Sequence, residues 1–290
     1  MMIYVTAGGG YVGREIVERL VKAGQRVRAL VTTPEEGQAI EGPNVETVVG
    51  DRARPETFAP TLAGADAAML LTRNARDLVA KDASFCGVAK AAGVRRVVKV
   101  SAFGASVNAE PGAKRVHGES EQAVQQSGLE WTFLRPQFFM QNMLWFVDEI
   151  RASGAFSLPM GNGGVGMIDY RDIADVAVKC LTQPGHEGRI YQLSGPELLS
   201  CADIAAKLSR ATGIPIRFND MPPDEFRKLL ISMGRPAWHA EEMTVSYVGM
   251  SKGASAVLTE DAQRVLGRPA TPFDRVASDY ARLFRGAVGQ

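Results

Sequence analysis

Met2-Ile3-Tyr4-Val5-Thr6-Ala7-Gly8-Gly9-Gly10-Tyr11-Val12-Gly13 opens the chain, and a helical pattern over residues 12–23 follows and closes at Gly24. A short apolar run, a glycine turn and an amphipathic helix predict the first strand–turn–helix of a parallel sheet. Gly8, Gly10 and Gly13 satisfy G-x-G-x-x-G in that context. Glycines let the turn bend tightly and let the backbone approach a pyrophosphate. The helix N-terminus then offers free N–H groups and a partial positive charge to phosphate oxygens. Gly8, Gly9, Gly10, Tyr11, Val12 and Gly13 are therefore the first candidate dinucleotide contacts.

The same alternation continues outward. Strand-like apolar runs lie at residues 26–31, 45–49, 66–71, 95–101 and 131–134, with helical patterns at 77–92 and 111–126 between them. Continuous apolar strands separated by helices predict an α/β, Rossmann-type, doubly wound parallel sheet with right-handed crossovers. Ligands of such sheets bind beyond the C-terminal strand ends. That rule nominates Leu71, Thr72 and Arg73 beside the pyrophosphate and ribose, and Ser101 and Phe103 after the fifth strand. Gly50-Asp51-Arg52 ends the third strand, where adenine is expected, so Asp51 and Arg52 join the cofactor set.

After about residue 150 the texture changes to a loop rich in Gly and Pro, then to short strands and helices. The reading is a dinucleotide domain over 1–150 and a smaller, mostly helical substrate lobe over 151–290, interleaved through 165–195. Asp169 and Asp172 should cap the helix that follows them. A helix around Trp238 is a candidate lid.

The bulk properties narrow the class. The 290 residues carry a formal net charge of +1 and 46% hydrophobic side chains. Without a run of like charges, neither a nucleic-acid footprint nor a polybasic membrane patch is expected. Three cysteines and three histidines, all scattered, argue against a metal site and for buried thiols in a reducing, cytoplasmic setting. The N-terminal apolar run reads as a strand, with no basic segment before it, and no run reaches the roughly 18 apolar residues of a membrane span. A homodimer is compatible with the sequence.

Several segments together resemble one family, the NmrA-like atypical short-chain dehydrogenase/reductases. They are the turn at 6–13, Gly50-Asp51, residues 91–101, His117 with Glu121, Ser127-Gly128-Leu129, Leu134-Arg135-Pro136, residues 139–142, residues 169–176 and residues 191–196. Within that family the chain is most similar to the NAD(P)H quinone reductase and triphenylmethane-dye reductase group. The resemblance implies a nicotinamide cofactor and a substrate cleft between two lobes. Two departures stand out. Ala7 occupies a position that usually carries Gly, so the glycine duty is expected to shift to Gly8, Gly9 and Gly10. Thr32 ends the second strand where NADP-binding members usually place Arg. No acid for a ribose 2′-hydroxyl stands there either, since Glu35 and Glu36 lie past Pro34. With Arg14 available to a 2′-phosphate, the reading leans to NADP(H) and leaves NAD(H) open.

No Tyr is followed four residues later by Lys, so the usual Tyr-x-x-x-Lys proton donor is absent. His117 stands at the family's Lys position, and Glu121 follows one helical turn later, close enough to orient the imidazole and raise its pKa. His117 is thus a candidate acid, or a residue that only hydrogen-bonds the cofactor. Quinones, dyes and conjugated imines accept hydride into a delocalised system and need orientation more than a strong acid. Phe103, Phe139 and Asn142 are the candidate contacts for a small planar apolar substrate, whereas Phe138, Trp145 and Phe146 read as core. The leading expectation is an NAD(P)H-dependent reductase of a quinone, dye or natural-product intermediate. The alternative is a catalytically silent redox sensor that binds NAD(P) and a protein partner.

Overall fold

The computed structural model describes residues 1–72 and 75–285. In chain order its elements are β1 (Met2–Val5), α1 (Tyr11–Lys22), β2 (Arg26–Val31), α2 (Pro34–Gln38), β3 (Val45–Val49), β4 (Ala67–Leu70), α3 (Leu78–Ala91), β5 (Arg96–Val100), α4 (Ala113–Gln126) and β6 (Glu130–Pro136). Then come α5 (Val147–Ser153), β7 (Ala155–Leu158), α6 (Tyr170–Thr182), β8 (Arg189–Leu193), α7 (Cys201–Thr212), β9 (Arg217–Asp220), α8 (Pro223–Ser232), α9 (Ala237–Ser251), α10 (Asp261–Leu266) and α11 (Phe273–Arg285). Contacts divide the chain into two compact units.

The first unit comprises Met1–Pro136, Tyr170–Leu193 and Arg264–Leu266. Among the described residues its sheet has seven strands in the order β3-β2-β1-β4-β5-β6-β8, every pair parallel. The chain starts in β1, winds outward to β3, then returns to β4 on the other side of β1. That reversal puts the topological switch point between β1 and β4, where a doubly wound sheet opens its ligand crevice. Helices α3 and α4 pack together over a core of Tyr4, Phe85, Val97, Val124 and Phe133, while α1 pairs with α6. Strands with apolar residues on both faces, such as Ala67-Ala68-Met69-Leu70, need that cover on each side.

The second unit comprises Gln137–Asp169, Ser194–Gln263 and Gly267–Gln290. Its core is built on Met140, Met143, Phe156, Leu208, Phe226, Tyr247 and Phe284. Helix α7 packs on α11 and α8 on α9. The Gly- and Pro-rich stretch read as loop contains a strand, β7, which pairs in parallel with β9. Its Ala155-Phe156-Ser157-Leu158 is buried at all four positions, a run too short to stand out from the turn residues around it. The segment from Gln137 to Ser153 belongs with this unit because Met140, Met143 and Ile150 are buried in its core. Among the described residues no helix is long and apolar enough to cross a membrane. Cys86, Cys180 and Cys201 are buried and free, and burial pushes each thiol up to about 12.

Candidate functional site

The glycine turn is shaped by close approach more than by backbone chirality. A methyl group on Gly13 would lie 2.2 Å from the Ala7 carbonyl oxygen, and one on Gly8 would lie 2.8 Å from Ala29 Cβ on β2. Gly9 is crowded by Glu36, at 2.7 Å. The expected transfer of left-handed geometry onto Gly8, Gly9 and Gly10 does not occur. Ala7 itself takes φ +50°, and none of those three glycines has a positive φ. Thr6 explains how Ala7 is held there. It is fully buried, its N–H donates to Met69 O at 3.0 Å, and its hydroxyl accepts from Leu71 N at 2.8 Å. Gly8 N then donates to Leu30 O at 2.9 Å, so the turn is pinned to β4 on one side and β2 on the other. A left-handed alanine costs about 1–2 kcal/mol, and these bonds over-determine the path.

Helix α1 follows with Gly10 as an N-cap that makes no side-chain bond, and no acidic residue stands in its first turn. Tyr11 is exposed, Val12 half-buried and Gly13 buried. The first-turn N–H groups therefore keep their partial positive charge for an incoming anion. A bare turn folded against an uncapped helix start fits a dinucleotide pyrophosphate.

The strand ends around this turn hold most of the remaining cofactor candidates. Thr32, after β2, donates from its N–H and hydroxyl to Glu36 at 2.8 and 2.7 Å. The acid missing from the strand end in the sequence is thus returned to it by α2. Asp51, after β3, accepts from Ala53 N at 2.8 Å and faces Arg54 at 3.6 Å. Arg52 does not project outward. It donates to Leu71 O at 2.9 Å and to the hydroxyl of Thr72 at 2.5 Å, lies over the Phe85 ring and pairs with Asp82. Arg52 thus clamps the chain after β4 and positions Leu71 and Thr72. Arg73 lies outside the described residues.

A polar cluster that the sequence reading missed sits beneath these ends. Asp82 of α3 is fully buried and accepts from Lys99 Nζ at 2.6 Å, Ser120 Oγ at 2.5 Å and Thr72 Oγ1 at 2.5 Å, besides Arg52. Burial alone would raise its pKa, but the charges of Lys99 and Arg52 and the bonds from Lys99 and Ser120 overcome that and hold it at about 2. Lys99 is also fully buried, in the middle of β5. The sequence carried a signal: a lysine inside Val97-Val98-Lys99-Val100 must have a partner when both sheet faces are covered.

His117 is placed differently from the expectation. Glu121 does not orient it. That carboxylate takes Arg135 in a two-point pair, from Nε at 2.9 Å and Nη2 at 2.5 Å. The pair forms because β6 carries Arg135 next to the helix face of Glu121, and a guanidinium fork matches a carboxylate better than an imidazole does. Among the described residues His117 Nδ1 is buried without a hydrogen-bond partner, as is the hydroxyl of Ser101 at the end of β5. Burial pushes the His117 pKa down, the Lys99 charge adds to this, Asp82 opposes it, and the result is about 3. The imidazole is therefore neutral at physiological pH, contrary to the raised pKa expected. Phe103 is half-buried, with its N–H donating to Pro136 O at 3.1 Å.

In the second unit Phe139 pairs with Ile168 through an isolated bridge, and Asn142 N donates to Phe139 O at 3.0 Å. Both side chains are half-buried. Phe138 does serve as core, edge-on to Tyr247, and Phe146 packs near Phe156, but Trp145 is 55% exposed. Gln137, not singled out in the sequence, uses its amide to hold the Ser255 and Val257 carbonyls, each at 3.1 Å. It fixes the segment that follows α9.

Comparison with known proteins agrees with this geometry. A protein-family model described as NAD(P)H-binding matches residues 8–184. An NAD(P)H azoreductase from Xenophilus azovorans is 37% identical over 99% of this chain and 100% of its own length. A (4-alkanoyl-5-oxo-2,5-dihydrofuran-3-yl)methyl phosphate reductase from Streptomyces griseus is 38% identical over 98% of this chain and 99% of its own. The crystal structure of an NADPH-dependent quinone oxidoreductase from Escherichia coli, complexed with NADPH, superposes with a TM-score of 0.87 at 25% identity, over 97% of this chain and 100% of that one.

Proposed function

The chain belongs to the NAD(P)H-binding family, and we propose that it is an NAD(P)H-dependent oxidoreductase acting on a planar conjugated acceptor. Quinones, azo and cationic dyes and natural-product intermediates are the acceptor classes intended. The enzyme is of the atypical short-chain type, without Tyr-x-x-x-Lys. Support comes from relatives named for azo, quinone and unsaturated-lactone substrates, each with a π-system able to take up hydride.

The observation that carries the acceptor class is His117, neutral and without a carboxylate partner. An imidazole with a pKa of about 3 is a poor base and is not protonated at neutral pH. It can place a hydrogen bond, but it holds no spare proton for an alkoxide. A delocalised acceptor spreads the incoming charge and takes its proton from water, so the absence of a strong acid is tolerated.

Bound NAD(P)H supplies the hydride from its reduced nicotinamide ring. Gly10, where an added methyl group would meet nothing closer than 3.5 Å, leaves the turn open to a pyrophosphate, and the first N–H groups of α1 would meet it there. Asp51 would accept from the adenine amine. Thr72, set by Arg52, borders the ribose. Ser101 and His117 each contribute one buried polar atom without a partner among the described residues, fit to hydrogen-bond the nicotinamide half. Phe103, Phe139 and Asn142 orient the acceptor, with the aromatic rings stacking on a flat molecule.

The test is nicotinamide oxidation, followed by absorbance, with NADH and NADPH against quinones, azo dyes and cationic dyes. Saturable, enzyme-dependent oxidation supports the reductase. Binding of dinucleotide without turnover across the panel would favour a sensor that signals to a protein partner.

A further inference from the structure

Glu36 stands in the first turn of α2, yet its side chain folds back over the end of β2. Two bonds hold it there: Oε2 accepts from Thr32 N at 2.8 Å and from Thr32 Oγ1 at 2.7 Å. Thr33 helps from below by capping α2, its hydroxyl accepting from Glu36 N at 3.3 Å. A methyl group on Gly9 would meet Glu36 Cβ at 2.7 Å and its Cδ at 2.9 Å. Gly9 is therefore bare because Glu36 fills the space beside it. The carboxylate lies between the glycine turn and the second strand end.

Its two oxygens are not equivalent. Both Thr32 bonds go to Oε2, and the Thr33 backbone N–H also faces the carboxylate. Arg14 stands nearby, tied by Nε to Gly9 O at 2.7 Å, which leaves its outer nitrogens without protein partners among the described residues. The Thr32 bonds, with smaller contributions from the Thr33 N–H and the Arg14 charge, hold Glu36 below the usual carboxylate range. It is ionised at neutral pH.

In a doubly wound sheet the region past the second strand is where a ribose 2′-substituent lies, and a carboxylate there accepts from a hydroxyl. A 2′-phosphate brought to the same oxygen would face like charge at hydrogen-bond distance. We propose that Glu36, delivered by α2 and anchored by Thr32, is the residue by which this chain discriminates between nucleotides, accepting the 2′-hydroxyl of NAD(H) at Oε1 and disfavouring the 2′-phosphate of NADP(H). Arg14 offsets part of that repulsion, so NADPH is disfavoured and not excluded. The inference rests on the dinucleotide-binding reading above.

The experiment titrates the whole chain with NADH and with NADPH, reading nicotinamide fluorescence, for the parent, Glu36→Gln and Arg14→Ala. The parent should bind NADH about tenfold or more tighter than NADPH, a difference of about 1.4 kcal/mol. Glu36→Gln should bring the two affinities within about threefold of each other, mainly by tightening NADPH. Arg14→Ala should weaken NADPH and leave NADH unchanged. A parent that prefers NADPH, or a ratio that Glu36→Gln leaves unaltered, overturns the assignment while the dinucleotide site stands. Failure of both nucleotides to bind the parent would remove the site itself.

Discussion

Glu121 grips the guanidinium of Arg135 at 2.9 and 2.5 Å and so leaves His117, one helical turn before it on α4, without a carboxylate. Side-chain exposures of 5% for Glu121 and 15% for Arg135 make this a largely dry pair. Removing one partner of such a pair strands the other charge. Glu121→Ala should therefore cost about 3–5 kcal/mol in denaturant unfolding. It should not create or abolish a His117 titration, because the two groups are not bonded. A pH profile of turnover that shifted with Glu121→Gln would contradict this.

The buried imidazole makes a pH prediction whose sign is fixed by burial. His117 falls from the ordinary 6.5 to about 3 in the folded chain, so below pH 6.5 the unfolded chain takes up a proton that the folded chain refuses. Its contribution is present in full above 6.5 and is lost as pH falls from there toward about 3. The loss is on the order of 5 kcal/mol when complete. Denaturant midpoints measured at steps from pH 7 to pH 4 should fall, and His117→Gln should flatten that slope. Parallel slopes for parent and variant would disprove the assignment.

Asp82 and Lys99 form the other buried centre. Asp82→Asn leaves the fully buried Lys99 ammonium beside Arg52 with no counter-charge, and a loss of about 3–5 kcal/mol is expected. Adding Lys99→Met should recover part of it, since one of the two stranded charges is then gone while Arg52 stays. The Asp82 carboxylate is held at about 2 against an ordinary 3.8, so its contribution persists down to pH 3.8 and disappears as pH falls through about 2. Urea unfolding of the two single variants and the double variant measures the coupling. Strict additivity would mean that the cluster is not one unit.

The glycines of the turn should separate into two kinds. Gly13→Ala places a methyl group 2.2 Å from the Ala7 oxygen, so it should lower stability even without ligand. Gly10→Ala meets nothing closer than 3.5 Å at φ −74°, and should leave stability within about 0.5 kcal/mol. If Gly10 is where the backbone approaches the pyrophosphate, this variant should still weaken dinucleotide binding. Thermal unfolding with and without NADH distinguishes the two effects, and equal behaviour of both variants would overturn the division.

What could be read from the sequence was what local pattern encodes. The strand, glycine turn and helix of residues 2–22, and the apolar strands β2 to β6, announce themselves within a dozen residues each. The pairs that define the site do not. Pro34 separates Glu36 from β2 in sequence, and only the α2 fold-back returns it to Thr32. Glu121 looked like a partner for His117 at helical spacing, while its real partner lies on a neighbouring strand. Asp82 gathers side chains from four other segments, a convergence that periodicity does not encode. Ala7 accepted a left-handed conformation because Thr6, buried and bonded at both ends, outweighs a local preference.

The most direct measurement is the initial rate of NADH and NADPH oxidation by the whole chain against a panel of quinones, azo dyes and cationic dyes. Thermal upshift with each dinucleotide is recorded in parallel. The account predicts an upshift and saturable, enzyme-dependent oxidation with at least one planar acceptor. An upshift with no oxidation of either nucleotide across the panel would contradict it.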